Sequence, residues 1–104
     1  MHTIGLKLTL KLGCYEGYKA AHDQLWPEIA EGMTRCGVSM AIYRDGQSLF
    51  LFATAATEDD WLRSRQDSIL EEWNATMTNF LETDDSGGIA FTELNKAFGF
   101  GSFQ

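Results

Sequence analysis

The sequence predicts an α+β fold of the ferredoxin-like type, β-α-β-β-α-β, with one antiparallel sheet and its helices on one face. Three observations carry this. Ile4, Leu6, Leu8, Leu10 and Leu12 alternate with polar or small residues, which is the period of a strand. From Tyr15 the apolar period changes to three and four, and the same change recurs after Thr57. Between those stretches, "RDGQ" (Arg44–Gln47) separates two apolar runs as a hairpin turn does, because Asp-Gly favours positive φ.

The elements follow in order. The first strand spans Ile4–Leu12 and stops at Gly13. Tyr15, Tyr18, His22, Leu25, Ile29, Met33 and Cys36 then share one helix face. Pro27 has no N–H to donate, so this helix is expected to kink or restart near Trp26, and Gly37 suits its C-cap. Val38–Arg44 and Ser48–Ala56 are the hairpin strands. The second contains "LFLFATA", apolar on both sides, so each of its faces needs a cover. Thr57 suits an N-cap, and Glu58, Asp59 and Asp60 suit the positive end of the helix that follows. Helical patterning continues to about Leu81, in two pieces joined near Ser64–Ser68. Its apolar face includes Trp61, Leu62, Ile69, Trp73, Met77 and Phe80. Residues 82–88 read as a polar loop, and Leu94, Lys96, Phe98 and Phe100 as a final strand. Helices on one face leave the other bare. A second copy of the chain is the simplest cover, so a symmetric homodimer, a dimeric α/β barrel, is expected.

The chain has 104 residues, read as a single domain over 1–104. Its formal charge of -7 argues against nucleic acid and against an anionic membrane surface. The N-terminal residues interleave lysines with apolar residues, so no signal peptide is read, and no run reaches transmembrane length. Cys14 and Cys36 are the only cysteines, which reads as reduced thiols in the cytoplasm and is too few for a metal site.

Three constellations carry potential chemistry. Tyr18, His22 and Trp26 lie at i, i+4 and i+8 on one helix face. A histidine there moves protons near neutral pH, a tyrosine adds a ring and a hydroxyl, and a tryptophan offers a flat surface for a sugar. The competing reading is a core histidine bonded to a backbone carbonyl. Trp73 and Asn74, with Met77, form a second candidate: a stacking ring beside an amide, or else part of an ordinary core stripe. The third, "ETDDSGGIAFTE" (Glu82–Glu93), approaches a calcium loop. Glu82 stands where the first Asp belongs and no exit helix follows, so it is read as a solvated loop with no metal.

In this order the stretches "YKAAH", "LWPE", "AIYRD", "LFLFA" and "EEWNATM" resemble the L-rhamnose mutarotase family over nearly the whole chain. The resemblance implies a dimeric ferredoxin-like fold and cofactor-free interconversion of the α and β anomers of a 6-deoxy-aldopyranose. It makes His22 the proton donor, with water, Tyr18 or a carboxylate open as the base, and Tyr18 and Trp73 substrate-binding residues. Asn74 stands where the family has a second tryptophan, and Met40 where it has a binding tyrosine. Trp26 and Tyr43, inside matching stretches, join the substrate-binding candidates. These departures leave L-fucose as reasonable a substrate as L-rhamnose. The alternatives are a monooxygenase-like enzyme on the same dimeric barrel and a non-catalytic sugar- or metabolite-binding module.

Overall fold

The computed structural model describes residues 1–104. Strand β1 (His2–Thr9) pairs antiparallel with β3 (Ser48–Ala55), which pairs antiparallel with β2 (Ser39–Asp45). A short β4 (Phe91–Glu93) pairs antiparallel with the other edge of β1, giving the order β2-β3-β1-β4. That is the ferredoxin-like order. Register sorts the side chains. Leu8 opposes Leu49, and Leu6 and Ile42 both oppose Leu51, so one sheet face is aliphatic.

The helices bury that face. The core joins Leu8, Leu10 and Leu49 of the sheet side to Tyr18, Ile29, Leu70, Trp73 and Met77 of the helices, with Leu81 just beyond them. The expected break at Pro27 is complete. Helix α1 (Tyr15–Asp23) ends, and α2 (Pro27–Arg35) starts afresh with proline in its first turn. Gly37, at φ 68, turns the chain out of α2 toward β2, a backbone conformation that favours glycine. The second helical stretch likewise divides into α3 (Glu58–Ser64) and α4 (Ile69–Met77), and Thr57 Oγ1 accepts from the Asp60 N–H at 3.1 Å as an N-cap.

Three expectations fail. The first strand stops at Thr9, short of Leu12, which is 86% exposed. The chain there turns away from the sheet through Gly13, at φ 76. Leu62, within α3, is 49% exposed: it follows Trp61 directly, and neighbouring helix residues point about 100° apart, so the two do not share a buried face. The final strand is Phe91–Glu93, with nothing extended over Leu94–Phe100. Leu94 N–H still donates to Gly5 C=O at 2.8 Å. The chain then leaves the edge and closes in a 3-10 turn at Gly101–Phe103, where Gly101 has φ 63 and Lys96 Nζ donates to the Phe103 carbonyl. Glycines at 99 and 101 supply the bend that an apolar alternation alone conceals.

The outer sheet face is the less protected one. Phe50 and Phe52 of β3 are half-buried there, while Tyr43, Phe98 and Phe100 are 65%, 83% and 77% exposed. No helix is long and apolar enough to cross a membrane.

Candidate active site

Helix α1 sets Tyr18 and His22 one turn apart on its sheet-facing side. His22 Nδ1 lies 3.0 Å from the Tyr18 carbonyl. A carbonyl oxygen only accepts, so Nδ1 carries the hydrogen and the neutral ring keeps its lone pair at Nε2. Aromatic rings hold the imidazole in place. The Tyr18 ring centroid is 4.3 Å away, and the Trp73 ring meets it edge-on at 5.1 Å and 76°. Trp26 in turn meets Trp73 edge-on at 5.2 Å.

The Tyr18, His22 and Trp73 rings wall a two-lobed cavity between helices and sheet. The larger lobe holds about 490 Å³ and the smaller about 350 Å³, and Tyr18, His22, Met33, Met40 and Ile42 line both. That is the size of a small-molecule site. Its walls are mostly apolar. The polar groups of the larger lobe are few: Tyr18, His22, Asn74, Arg65 and Asp84.

Burial sets the protonation of the two central groups. Loss of solvent pushes the Tyr18 phenol up to about 12, so it is a hydrogen-bond donor at neutral pH. Loss of solvent also lowers the His22 pKa. The hydrogen bond to Tyr18 and the charge of Asp23 oppose that shift without cancelling it. His22 is therefore neutral at pH 7.

The structure brings Tyr18, His22, Trp73, Asn74 and Met40 to one cavity. It does not bring Trp26 or Tyr43 to its wall. Trp26 lies behind Trp73 and supports that ring from outside the cavity. Tyr43 falls between Ile42 and Arg44 on β2, so strand alternation turns it to the outer face, 6.2 Å from the Phe52 ring. The Glu82–Glu93 segment is a tight turn between bridged residues Thr83 and Ile89. Asp84 Oδ1 accepts from the N–H groups of Ser86 and Gly88, while Glu93 belongs to β4. No three His, Cys, Asp or Glu side chains converge on a possible metal position. Arg65 and Asp84 are the polar residues that sequence patterning missed as cavity lining. Arg65 sits in the polar break "RSRQDS", where no periodicity marks an inward-facing position.

A family model described as L-rhamnose mutarotase matches residues 3–100. The chain belongs to the L-rhamnose mutarotase family. It is an isomerase that epimerises sugar anomers. The L-rhamnose mutarotase of Shouchella clausii is 31% identical over 87 residues, covering 81% of this chain and 84% of that one. That of Bacillus subtilis is 29% identical over the same length and coverage. Among solved structures, the L-rhamnose mutarotase of Formosa agariphila superimposes with a TM-score of 0.80 at 24% identity, covering 97% of this chain and all (100%) of that one. A Nitrosomonas europaea protein of the antibiotic biosynthesis monooxygenase type follows at a TM-score of 0.67 and 12% identity, covering 94% and 100%, which is a likeness of fold. Within the mutarotase fold, this chain sets an amide at Asn74 and a thioether at Met40 on the cavity wall.

Proposed function

We propose that the cavity around His22 interconverts the α and β anomers of a 6-deoxy-aldopyranose, of the L-rhamnose or L-fucose class, by acid–base ring opening. One observation carries the reading. His22 is neutral, its Nδ1–H is engaged by the Tyr18 carbonyl, and Nε2 is the ring nitrogen left for a ligand in the cavity. In the forward step Nε2 takes the proton of the anomeric hydroxyl. The C1–O1 bond becomes a carbonyl as the bond from C1 to the ring oxygen breaks. The ring oxygen takes a proton, supplied by the imidazolium. Rotation about C1–C2 presents the other carbonyl face, and closure reverses the proton movements. No electrons are gained or lost, so protein groups suffice without a cofactor. Tyr18, held protonated, donates a hydrogen bond to a sugar oxygen rather than acting as the base. Trp73 lies against the sugar's C–H surface. Asn74 and Met40 complete the substrate wall.

The same reading includes a homodimer closed over the outer face and a cytoplasmic location. The exposed aromatic rings on that face support the first, and the free thiols of Cys14 and Cys36 the second. The monooxygenase alternative rests on fold likeness alone. Exchange NMR between the anomeric protons of L-rhamnose and of L-fucose, with and without the protein, tests the function. Accelerated exchange of at least one sugar is expected. Uncatalysed rates for both contradict the proposal.

A further inference from the structure

The larger lobe of the cavity carries one opposed pair of charges that the mechanism above does not use. Arg65 and Asp84 line the same lobe as His22 and Trp73. They do not pair with each other: the ion pairs of the chain are Lys19–Asp23, Arg63–Asp59 and Arg63–Asp60. Each is instead held by its own surroundings. Arg65 follows α3, and its guanidinium lies over the Trp61 ring, 5.1 Å from the centroid. Desolvation lowers its pKa, and no neighbouring carboxylate compensates. Asp84 is pinned by its turn through one oxygen only. Oδ1 accepts from Ser86 N–H at 2.9 Å, Ser86 O–H at 2.6 Å and Gly88 N–H at 3.1 Å. Oδ2 takes part in none of these bonds.

A desolvated donor fork and a carboxylate oxygen with spare capacity, set apart in one cavity, match a ligand that both accepts and donates. A sugar's hydroxyls do both. A carboxylate or phosphate only accepts, and would meet Asp84 as a like charge. Resting on the function proposed above, we infer that Arg65 and Asp84 read the hydroxyl pattern of the sugar. The Arg65 fork donates to two neighbouring sugar oxygens, and Asp84 Oδ2 accepts from a sugar O–H. Together they decide which epimer lies with its anomeric carbon at His22. Both residues lie outside the five short stretches quoted above but within residues 3–100 that the family model matches, so the pair adds to the site those stretches mark. It also supplies polar recognition beside Met40 and Asn74, which replace aromatic groups.

L-Rhamnose and L-fucose differ in hydroxyl configuration at C2 and C4, so they report on such a pair. Anomer exchange is measured against sugar concentration for wild type, Arg65→Met and Asp84→Asn. The methionine keeps an apolar stem. The asparagine keeps an acceptor for the turn and puts a donor where the free acceptor was. Each variant is expected to raise KM for the preferred sugar about tenfold, more than it changes kcat, because a hydrogen bond to a charged group is lost. Each should also draw the two sugars' kcat/KM values together. If Arg65→Met does not fold, Arg65→Lys keeps the charge, loses the fork and is expected to weaken the preference in the same direction. Folded variants with wild-type KM and wild-type sugar preference overturn the inference, as does a wild-type enzyme indifferent to the two sugars. A wild-type protein that accelerates neither sugar contradicts the proposed function and takes this inference with it.

Discussion

His22 sits against Tyr18 and Trp73, and its environment disfavours the imidazolium chiefly by desolvation. The sign of the resulting pH dependence follows. The unfolded chain protonates this histidine near its ordinary pKa of about 6.5, before the folded chain does. Stability from this group is therefore fully present above about pH 6.5 and is lost as pH falls through the lower folded value. The difference in melting temperature between wild type and His22→Asn, measured from pH 8 down to pH 5, should shift against wild type on the acid side. A constant difference contradicts the burial argument. At this scale the sequence was informative where helix periodicity fixes neighbours: Tyr18 and His22 had to share a face. Tyr43 misled because its motif sits on a strand, where a one-residue offset reverses the side chain's direction. Arg65 and Asp84 were hidden because both stand where no repeat applies.

The elements that position the site begin and end at recognisable signals. Pro27 separates α1 from α2, and Thr57 starts α3 with its side chain on the Asp60 N–H. Asp60 and Asp59 also pair with Arg63 across one turn, on an exposed surface where such pairs add little. The cap is the stronger local feature. Thr57→Ala should lower unfolding stability by about 1 kcal/mol, read by urea denaturation, with anomer exchange per folded molecule unchanged. No change in midpoint removes Thr57 as the determinant of that boundary. The C-terminal stretch was not legible in the same way. Leu94, Phe98 and Phe100 alternate as in a strand, but Gly99 and Gly101 allow a bend, and β1 offers pairing to Phe91–Glu93 only.

The whole molecule is a sheet with one face well covered and one face poorly covered. The order of its elements was readable because each change of period or turn marked a boundary, and antiparallel neighbours then followed from short connections. The cover of the second face cannot be written in one copy's sequence pattern, which records only that β3 is apolar on both sides. Its own C-terminal segment supplies part of it, where Phe52, Leu94 and Phe103 line a groove of about 610 Å³. The exposed Tyr43, Phe98 and Phe100 rings still face outward. Sheet-to-sheet association of two copies would bury them, and light scattering at micromolar concentration should return the mass of a dimer. A monomer mass contradicts it.

The central claim is that His22 Nε2 moves the proton in ring opening. The direct test is anomer exchange by NMR in folded His22→Asn and His22→Ala, with the sugar that wild type exchanges fastest. Both variants should keep the native circular dichroism spectrum and lose at least about 10²-fold in exchange rate, the lower end of general acid–base effects. Exchange at the wild-type rate in a folded His22→Ala protein would contradict that claim.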